Sequence, residues 1–190
     1  MSVLITGFEP FDGASVNASW EAALRMPRHI RGHQVYRMQL PVVYQQAAAQ
    51  MLLEIRRLKP KVVVCCGVAR GRGGVTPELL AINFRHASIP DNAGTLCTGD
   101  PILPHGETAL MTGMPLQRII DAIKALDIPA WLSLSAGAYV CNDVYYHLLL
   151  MEKELGYRGL FVHVPDTDTL DADRAAAALT ACVETALTDE

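Results

Sequence analysis

Cys141 stands where a short apolar run meets a helical pattern, in the stretch "SAGAYVCNDVYYHLLL". From this thiol to Gly156 the apolar side chains recur at helical spacing, so we predict a helix that begins at Cys141. Unsatisfied N–H groups and the helix dipole at such a start stabilise a thiolate. We therefore expect them to lower the pKa of Cys141 and to form an oxyanion hole. The pattern indicates a nucleophile, although a thiol that only packs in the core fits it as well.

A cysteine nucleophile needs a base, usually a histidine that a third group orients. The chain has six histidines, and His163 differs from the others because it lies in "GLFVHVP", an apolar run that predicts a buried strand. The carboxyl ends of such strands are where α/β proteins place their active sites. Glu78, in "GGVTPELLAIN", is the candidate for the third group. Taken singly, a core histidine and a surface glutamate are the simpler interpretations of these two residues.

Other catalytic chemistries have weaker signals. The five cysteines include no C-x-x-C pair and the histidines have no metal-ligand spacing, so neither a metal site nor a disulfide framework is predicted. The glycine-rich "GVARGRGG" lacks the spacing of a dinucleotide or P-loop motif, which makes a phosphate site a weak interpretation. An odd number of cysteines without framework spacing favours reduced thiols in a reducing compartment.

The composition excludes several classes of protein. The 190 residues are 51% apolar and 19% charged, as in a globular protein. A net charge of −4 gives no electrostatic basis for binding nucleic acid. No apolar run approaches the about 20 residues of a membrane span. The start "MSVLITGFEPF" resembles a first strand rather than a signal peptide, so we expect a cytoplasmic protein.

Strand-like and helix-like patterns alternate along the chain. Near-continuous apolar runs predict strands that begin near Val3, Gln34, Lys61, Ala130 and Gly159. Between them, helices are predicted in "WEAALRM", "YQQAAAQMLLEIRRL", "PLQRIIDAIKAL" and "ADRAAAALTACVETAL". This alternation predicts a single α/β domain over residues 1–190, built on a mostly parallel central sheet.

The region from Gly67 to about Gly113 interrupts the alternation, because it is rich in glycine and proline and has no helical pattern. We predict a long irregular insertion here. Such insertions are uncommon in compact domains and are usually functional. Since this one follows a strand directly and contains Glu78, we expect it to contribute to the functional site.

Four ordered motifs resemble those of the pyroglutamyl peptidase I (pyrrolidone-carboxylate peptidase) family of cysteine peptidases. "ITGFEPFDG" with "VNASWEA" is similar to the family's N-terminal signature, and "VTPELLAIN" with "IPDNAG" is similar to its glutamate-bearing one. "SAGAYVCND" resembles its nucleophile motif, and "GLFVHVP" resembles its histidine motif. The match runs nearly end to end, and four motifs in the same order are specific.

The resemblance implies an exopeptidase that removes N-terminal pyroglutamate from peptides and needs neither metal nor cofactor. Cys141 would be the nucleophile, His163 the general base and acid, and Glu78 the group that orients His163. The same resemblance implies a three-layer α/β/α fold related to nucleoside phosphorylases and peptidyl hydrolases, assembled as a homotetramer. The pyroglutamyl ring would be bound by an aromatic slot made of Phe8, Phe11, Ile89, Tyr139 and Val140.

The chain departs from the family at a few positions. Ser88 stands just before "IPDN", where many members have an arginine near the active site, and Arg85 is a possible substitute. Val68 replaces a glutamine or leucine, and Arg70 replaces a small residue. Tyr139 replaces a phenylalanine, which adds a hydroxyl that needs a partner.

These departures leave two alternatives to an active peptidase. The first is an impaired member that binds pyroglutamyl peptide ends without efficient hydrolysis, which Ser88 favours and the intact Cys141, His163 and Glu78 oppose. The second is a protein that keeps the fold with different chemistry, such as a nucleoside phosphorylase. That alternative needs a phosphate site, for which the sequence has no convincing motif.

Overall fold

The computed structural model describes residues 2–188, and this range contains ten strands and five helices. The strands are β1 (Ser2–Phe8), β2 (His29–Ile30), β3 (His33–Leu40), β4 (Val62–Val68), β5 (Thr76–Ile82), β6 (Arg85–His86), β7 (Thr98–Asp100), β8 (Ala109–Met111), β9 (Ser133–Ser135) and β10 (Arg158–Val164). The helices are α1 (Ala18–Arg25), α2 (Gln46–Leu58), α3 (Leu116–Lys124), α4 (Val140–Leu155) and α5 (Ala172–Thr188).

The main sheet has the strand order β2-β3-β1-β4-β10-β5-β8, and β9 also pairs with β5. Its centre is parallel, because β1 pairs in parallel with β3 and β4, and β4 pairs in parallel with β10. The direction changes at both edges, since β2 runs antiparallel to β3, and β5 runs antiparallel to both β10 and β8. The prediction of a mostly parallel central sheet is confirmed.

Helices cover both faces of this sheet and bury two apolar cores. α1, α3 and α5 pack on one face, whereas α2 and α4 pack on the other. Successive residues of a strand point to opposite faces, so Val3 enters the first core and Leu4 the second. This two-sided burial explains why the central strands are apolar throughout, and it confirms the predicted three-layer α/β/α architecture. Over residues 2–188, no helix combines the length and apolarity needed to cross a membrane.

The prediction of an irregular insertion from Gly67 to Gly113 is wrong. This stretch supplies β5 to the main sheet and also contains the short strands β6, β7 and β8. The sequence conceals β5 because Pro77 and Glu78 break its apolar pattern, yet both residues are buried in the folded chain. Glu78 therefore lies on a strand of the sheet rather than in a loop. The strand predicted from Ala130 is shorter than expected and covers only β9.

Candidate active site

Three elements bring the candidate residues together at one end of the sheet. His163 lies near the carboxyl end of β10, in register with Gly67 of β4 and Thr76 of β5. Glu78 follows Thr76 by two residues on β5. Cys141 is the second residue of α4, as the helical pattern predicted. Residues far apart in sequence thus meet where strands of the sheet end and a helix begins.

A buried hydrogen bond joins two of these residues. Nδ1 of His163 donates to Oε1 of Glu78 over 2.7 Å, and the Glu78 side chain has no exposed surface. This bond places a ring proton on Nδ1 and leaves Nε2 as the nitrogen that can accept a proton. The hydroxyl of Tyr145, on α4, donates to the main-chain oxygen of Glu78 and ties β5 to that helix. The glutamate therefore has the geometry of a group that orients the histidine.

Gly67 lets the thiol and the imidazole approach each other. A Cβ atom built on Gly67 would lie 2.9 Å from Sγ of Cys141 and 3.1 Å from Cδ2 of His163. The same atom would lie 3.0 Å from the ring of Phe161. Both candidate groups thus pack over one residue that has no side chain, and any larger residue there would push them away.

The thiol is not activated by the helix start alone. Burial raises the pKa of Cys141 to about 12, and the charge of Glu78 adds to this rise. A hydrogen bond from the backbone N–H of Cys141 and the charge of Arg72 act in the opposite direction but are weaker. The expected lowering of the pKa is therefore wrong for the resting protein, because desolvation outweighs the helix terminus. The resting thiol is therefore protonated at neutral pH.

A small cavity opens beside Cys141 and His163. Its volume is about 130 Å³, and it is lined by Phe8, Phe11, Asn17, Val42, Val68, Ala136, Tyr139, Val140, Cys141 and His163. For scale, an apolar cavity of about 150 Å³ binds one benzene ring. Four of the five residues predicted to form a ring slot line this cavity. The fifth residue, Ile89, is half-buried and does not line the cavity.

Asn17 is a cavity residue that the sequence analysis did not select for this role. It caps α1, where its Oδ1 accepts hydrogen bonds from the backbone and hydroxyl of Ser19. Its Nδ2 donates to the main-chain oxygen of Glu9. Gly7 makes this packing possible, since a Cβ there would lie 2.7 Å from the backbone of Trp20. The N-terminal motif thus seats the start of α1 against β1 and brings an amide to the cavity.

The "IPDNAG" motif forms a turn that holds neighbouring loops together. The buried carboxylate of Asp91 accepts hydrogen bonds from the backbone N–H groups of Tyr44, Ala93 and Thr95. The side chain of Asn92 donates to Glu9 and to the main-chain oxygen of Pro10. The motif therefore anchors the chain beside Ile89 to the loop that follows β1.

Asn142 and Asp143 attach the start of α4 to the rest of the molecule. Asn142 is fully buried and makes hydrogen bonds to both main-chain groups of Ile82, at the end of β5. Asp143 forms a buried ion pair with Arg85, and the contact between Oδ1 and Nη2 is 2.6 Å. Neither residue was predicted as part of the site. The sequence does contain a signal for them, because both polar residues occupy helix positions that the apolar pattern predicts to be buried.

The structure also places the residues at which the chain departs from the family that it resembles. Arg85 pairs with Asp143 and does not line the cavity with Cys141, while Ser88 is exposed. The added hydroxyl of Tyr139 donates to the main-chain oxygen of Pro90 over 3.0 Å, so it has a partner. Within residues 2–188, no group of three or more His, Cys, Asp or Glu side chains is arranged to hold a metal ion.

A buried carboxylate, an imidazole and a thiol grouped at a small cavity are the groups that a hydrolase of the cysteine type uses. Residues 1–189 match the family model for pyroglutamyl peptidase. The pyrrolidone-carboxylate peptidase of Bacillus amyloliquefaciens is 40% identical over 166 residues, which cover 86% of this chain and 77% of that protein. The Klebsiella pneumoniae protein of the same name is 41% identical over 165 residues, with the same coverage.

Solved structures agree with these sequence comparisons. The crystal structure of Bacillus amyloliquefaciens pyroglutamyl peptidase I superposes with a TM-score of 0.92 at 36% identity, covering 98% of this chain and 97% of that one. The pyrrolidone carboxyl peptidase of Pyrococcus furiosus superposes with a TM-score of 0.93 at 31% identity, covering 100% and 99%. The chain belongs to the pyroglutamyl peptidase family.

Proposed function

We propose that the protein is a cysteine exopeptidase that removes N-terminal pyroglutamate from peptides, with Cys141, His163 and Glu78 as its catalytic residues. The observation that carries this proposal is the 2.7 Å bond from His163 to Glu78, made at a cavity that Cys141 also lines. Family membership supplies the substrate class, since the cavity alone indicates only a small ring.

In the first half of the reaction, Nε2 of His163 takes the proton of the Cys141 thiol as Sγ attacks the pyroglutamyl carbonyl carbon. The raised pKa of Cys141 makes this transfer necessary, because little thiolate exists beforehand. Glu78 stabilises the imidazolium that forms. The carbon–nitrogen bond then breaks, and His163 gives its proton to the leaving amine. The product of this half is a thioester on Cys141.

The start of α4 stabilises the oxyanion of each tetrahedral intermediate. The N–H groups of Asn142 and Asp143 already donate to the main-chain oxygen of Tyr139. The N–H groups of Val140 and Cys141 precede them, and no carbonyl of the same helix can accept from these two positions. In the second half, His163 takes a proton from water, hydroxide attacks the thioester, and the proton returns to the Cys141 sulfur. Free pyroglutamate is released.

The cavity selects for a ring at the peptide end. The faces of Phe8, Phe11 and Tyr139 with the methyl groups of Val140 provide apolar walls for a lactam. Asn17 adds a polar group at the same wall. Ile89 is part of the proposed slot by resemblance to the family, although it does not line the cavity. A space that fits one ring accounts for removal of a single terminal residue.

The direct test is hydrolysis of pyroglutamyl-aminomethylcoumarin by the wild-type chain and by Cys141→Ser. We expect cleavage by the wild type and no measurable cleavage by the variant, with unchanged circular dichroism. Cys182→Ala, at a buried thiol of α5, is the matched control and should keep its activity. Retained activity in Cys141→Ser would refute the nucleophile assignment.

Alkylation supplies a test that needs no substrate. Cys141 is the one cysteine of the chain that is partly exposed, so iodoacetamide should label it before Cys65 or Cys182. In His163→Ala the labelling rate of Cys141 should still climb as pH rises through 10. This is expected because the variant lacks the base and only the thiolate reacts with iodoacetamide. Burial raises the pKa of Cys141 to about 12, so the thiolate forms only at high pH. The wild-type rate should level off at lower pH. Equal profiles would show that His163 does not take the thiol proton.

The runner-up is an impaired family member that binds pyroglutamyl ends but hydrolyses them slowly. Two observations favour it, because Ser88 is exposed and Arg85 is held by Asp143 rather than facing the cavity. The wild-type assay separates the two functions. Turnover in the ordinary range of about 1–10³ s⁻¹ supports the active peptidase, whereas tight binding of a pyroglutamyl peptide without turnover supports the alternative.

We further propose that the protein is a cytoplasmic homotetramer. All five cysteines are free thiols, as in proteins of reducing compartments. Exposed apolar side chains surround β9 and β8 at one edge of the sheet, among them Met111, Trp131 and Leu134. Such an edge is a template for pairing with another copy of the chain. Light scattering after size exclusion should give four times the chain mass of 20.7 kDa, and a monomer mass would refute the assembly.

A further inference from the structure

The glycine-rich segment "GVARGRGG" has a role other than binding phosphate. The N–H of Arg72 donates to the main-chain oxygen of Ala69, and Gly71 has a φ of +80°, so the chain turns back on itself. Gly74 packs closely against the segment that contains Pro129. A Cβ atom on Gly74 would lie 2.3 Å from the main-chain oxygen of Pro129. The glycines thereby direct the Arg72 side chain toward β5.

Arg72 reaches the same carboxylate oxygen that His163 uses. Its Nη1 donates to Oε1 of Glu78 over 2.7 Å and also to the hydroxyl of Thr76. Oε1 therefore accepts from both a guanidinium and an imidazole. Oε2 is buried and has no hydrogen-bond partner among residues 2–188. All the contacts that hold the Glu78 carboxylate in place converge on one oxygen.

A carboxylate this deeply buried needs a permanent positive partner. A neutral imidazole offers only a dipole, and a buried charge without a counter-charge is strongly unfavourable. Arg72 is always protonated, so it provides that charge whether or not His163 carries a second proton. Two donors on Oε1 also fix the rotation of the carboxylate, and this rotation sets the plane of the histidine ring.

We propose that Arg72 is a positioning residue, which holds Glu78 so that His163 presents Nε2 to Cys141. The proposal rests on the proposed function for its role in turnover. Arg72 itself is not among the residues that line the cavity at Cys141. Its effect therefore belongs in the chemical step rather than in substrate binding.

The main test compares Arg72→Met and Arg72→Lys with the wild type. Arg72→Met keeps the apolar length but removes charge and donors, so kcat should fall about 10- to 100-fold while KM changes less than about threefold. Arg72→Lys keeps the charge and one donor and should recover most of kcat. Arg57→Met is the matched control, because it breaks an exposed arginine–glutamate pair on α2 and should change neither constant. Unchanged kcat in Arg72→Met would overturn the proposal.

Chemical rescue and thiol labelling are two further measurements that separate a positioning role of Arg72 from a purely structural one. Methylguanidinium at low millimolar concentration should restore kcat to Arg72→Ala, because the side chain of Arg72 is 30% exposed and its site is open to solvent. A purely structural role would show no such rescue. Iodoacetamide labelling of Cys141 at pH 7.5 should slow about tenfold in Arg72→Met, and this needs no turnover. A wild-type chain that cleaves nothing refutes the proposed function alone, whereas unslowed labelling refutes the role of Arg72.

Discussion

Two arginine–carboxylate pairs flank the start of α4, and they differ in how completely the carboxylate is used. Asp143 accepts from Nε and Nη2 of Arg85 at Oδ1 and from the backbone N–H of Gln45 at Oδ2. Both of its oxygens are occupied. Glu78 accepts from Arg72 and His163 at Oε1, while Oε2 has no partner in the described range of 2–188.

The two arginines also differ in how much of their side chain is exposed. The side chain of Arg85 is 8% exposed and that of Arg72 is 30% exposed, although both carboxylates are fully buried. A saturated and sealed pair can only hold its elements together, and Asp143 joins α4 to β6 and to the start of α2. The Glu78 pair is open toward solvent and includes a titratable imidazole, so it can respond when a proton moves. In the proposed mechanism, the Asp143 pair supports the site and the Glu78 pair takes part in it.

The largest expected difference between the two pairs is that between Glu78→Gln and Asp143→Asn. We expect kcat of Glu78→Gln to fall about 10³-fold, because an amide cannot stabilise the imidazolium and can select the wrong tautomer of His163. Asp143→Asn should keep kcat within about tenfold, since it acts only through the position of α4. Steady-state assays with circular dichroism decide the matter. Equal losses of kcat would mean that the two pairs do not differ in role.

The next effect concerns stability. Asp143→Ala leaves the guanidinium of Arg85 buried without its counter-charge, so the free energy of unfolding should fall by about 3–5 kcal/mol in urea titrations. Glu54→Ala, which breaks the exposed pair with Arg57, should cost less than about 1 kcal/mol. A loss for Asp143→Ala as small as that of the control would contradict a structural role for the sealed pair.

The residues of the site differ in how well the sequence predicts their positions. Cys141 and His163 could be predicted because each belongs to a strongly patterned element, α4 or β10, whose end marks a site. Asp143 lies on the same helix, but its partner Arg85 comes from a two-residue strand that no pattern reveals. The contact of Arg72 with Glu78 depends on a turn made by glycines, and composition alone does not give the direction of such a turn.

Two other expectations failed for physical reasons. The stretch containing Glu78 was expected to be irregular, because a proline and a charged residue within a strand conceal its pattern. The pKa of Cys141 was expected to be low, since a helix start is visible in a sequence while desolvation is not. Gly67 of β4 lies against the Cys141 sulfur, and Cys141 packs against the apolar cluster that contains Phe161 of β10. Contacts between residues far apart in sequence thus determine both the strand that contains Glu78 and the pKa of Cys141.

Gly67→Ala tests the space that the open pair requires. The new methyl group would lie 2.9 Å from Sγ of Cys141, so the thiol or His163 must shift by a fraction of an ångström. A misplacement of about 1 Å costs about 10²-fold, so this smaller shift should lower kcat about tenfold. Gly73→Ala is the control in the neighbouring loop, because a Cβ there meets no atom within 4 Å. A fully active Gly67→Ala would show that the thiol and imidazole need no such close packing.

The smallest expected effect lies at Tyr139, whose ring touches both regions. This ring packs edge-on against Tyr44, which borders Arg85, and it also packs against Phe11 of the cavity. Tyr139→Phe removes only the hydroxyl bond to Pro90, so the free energy of unfolding should fall by about 1 kcal/mol and KM should change less than about threefold. The turn is still held by Asp91, whose carboxylate accepts three backbone N–H groups. A KM that rises tenfold or more in substrate titrations would mean that this hydroxyl, rather than the ring, shapes the slot. The sealed and open regions would then be coupled through Tyr139.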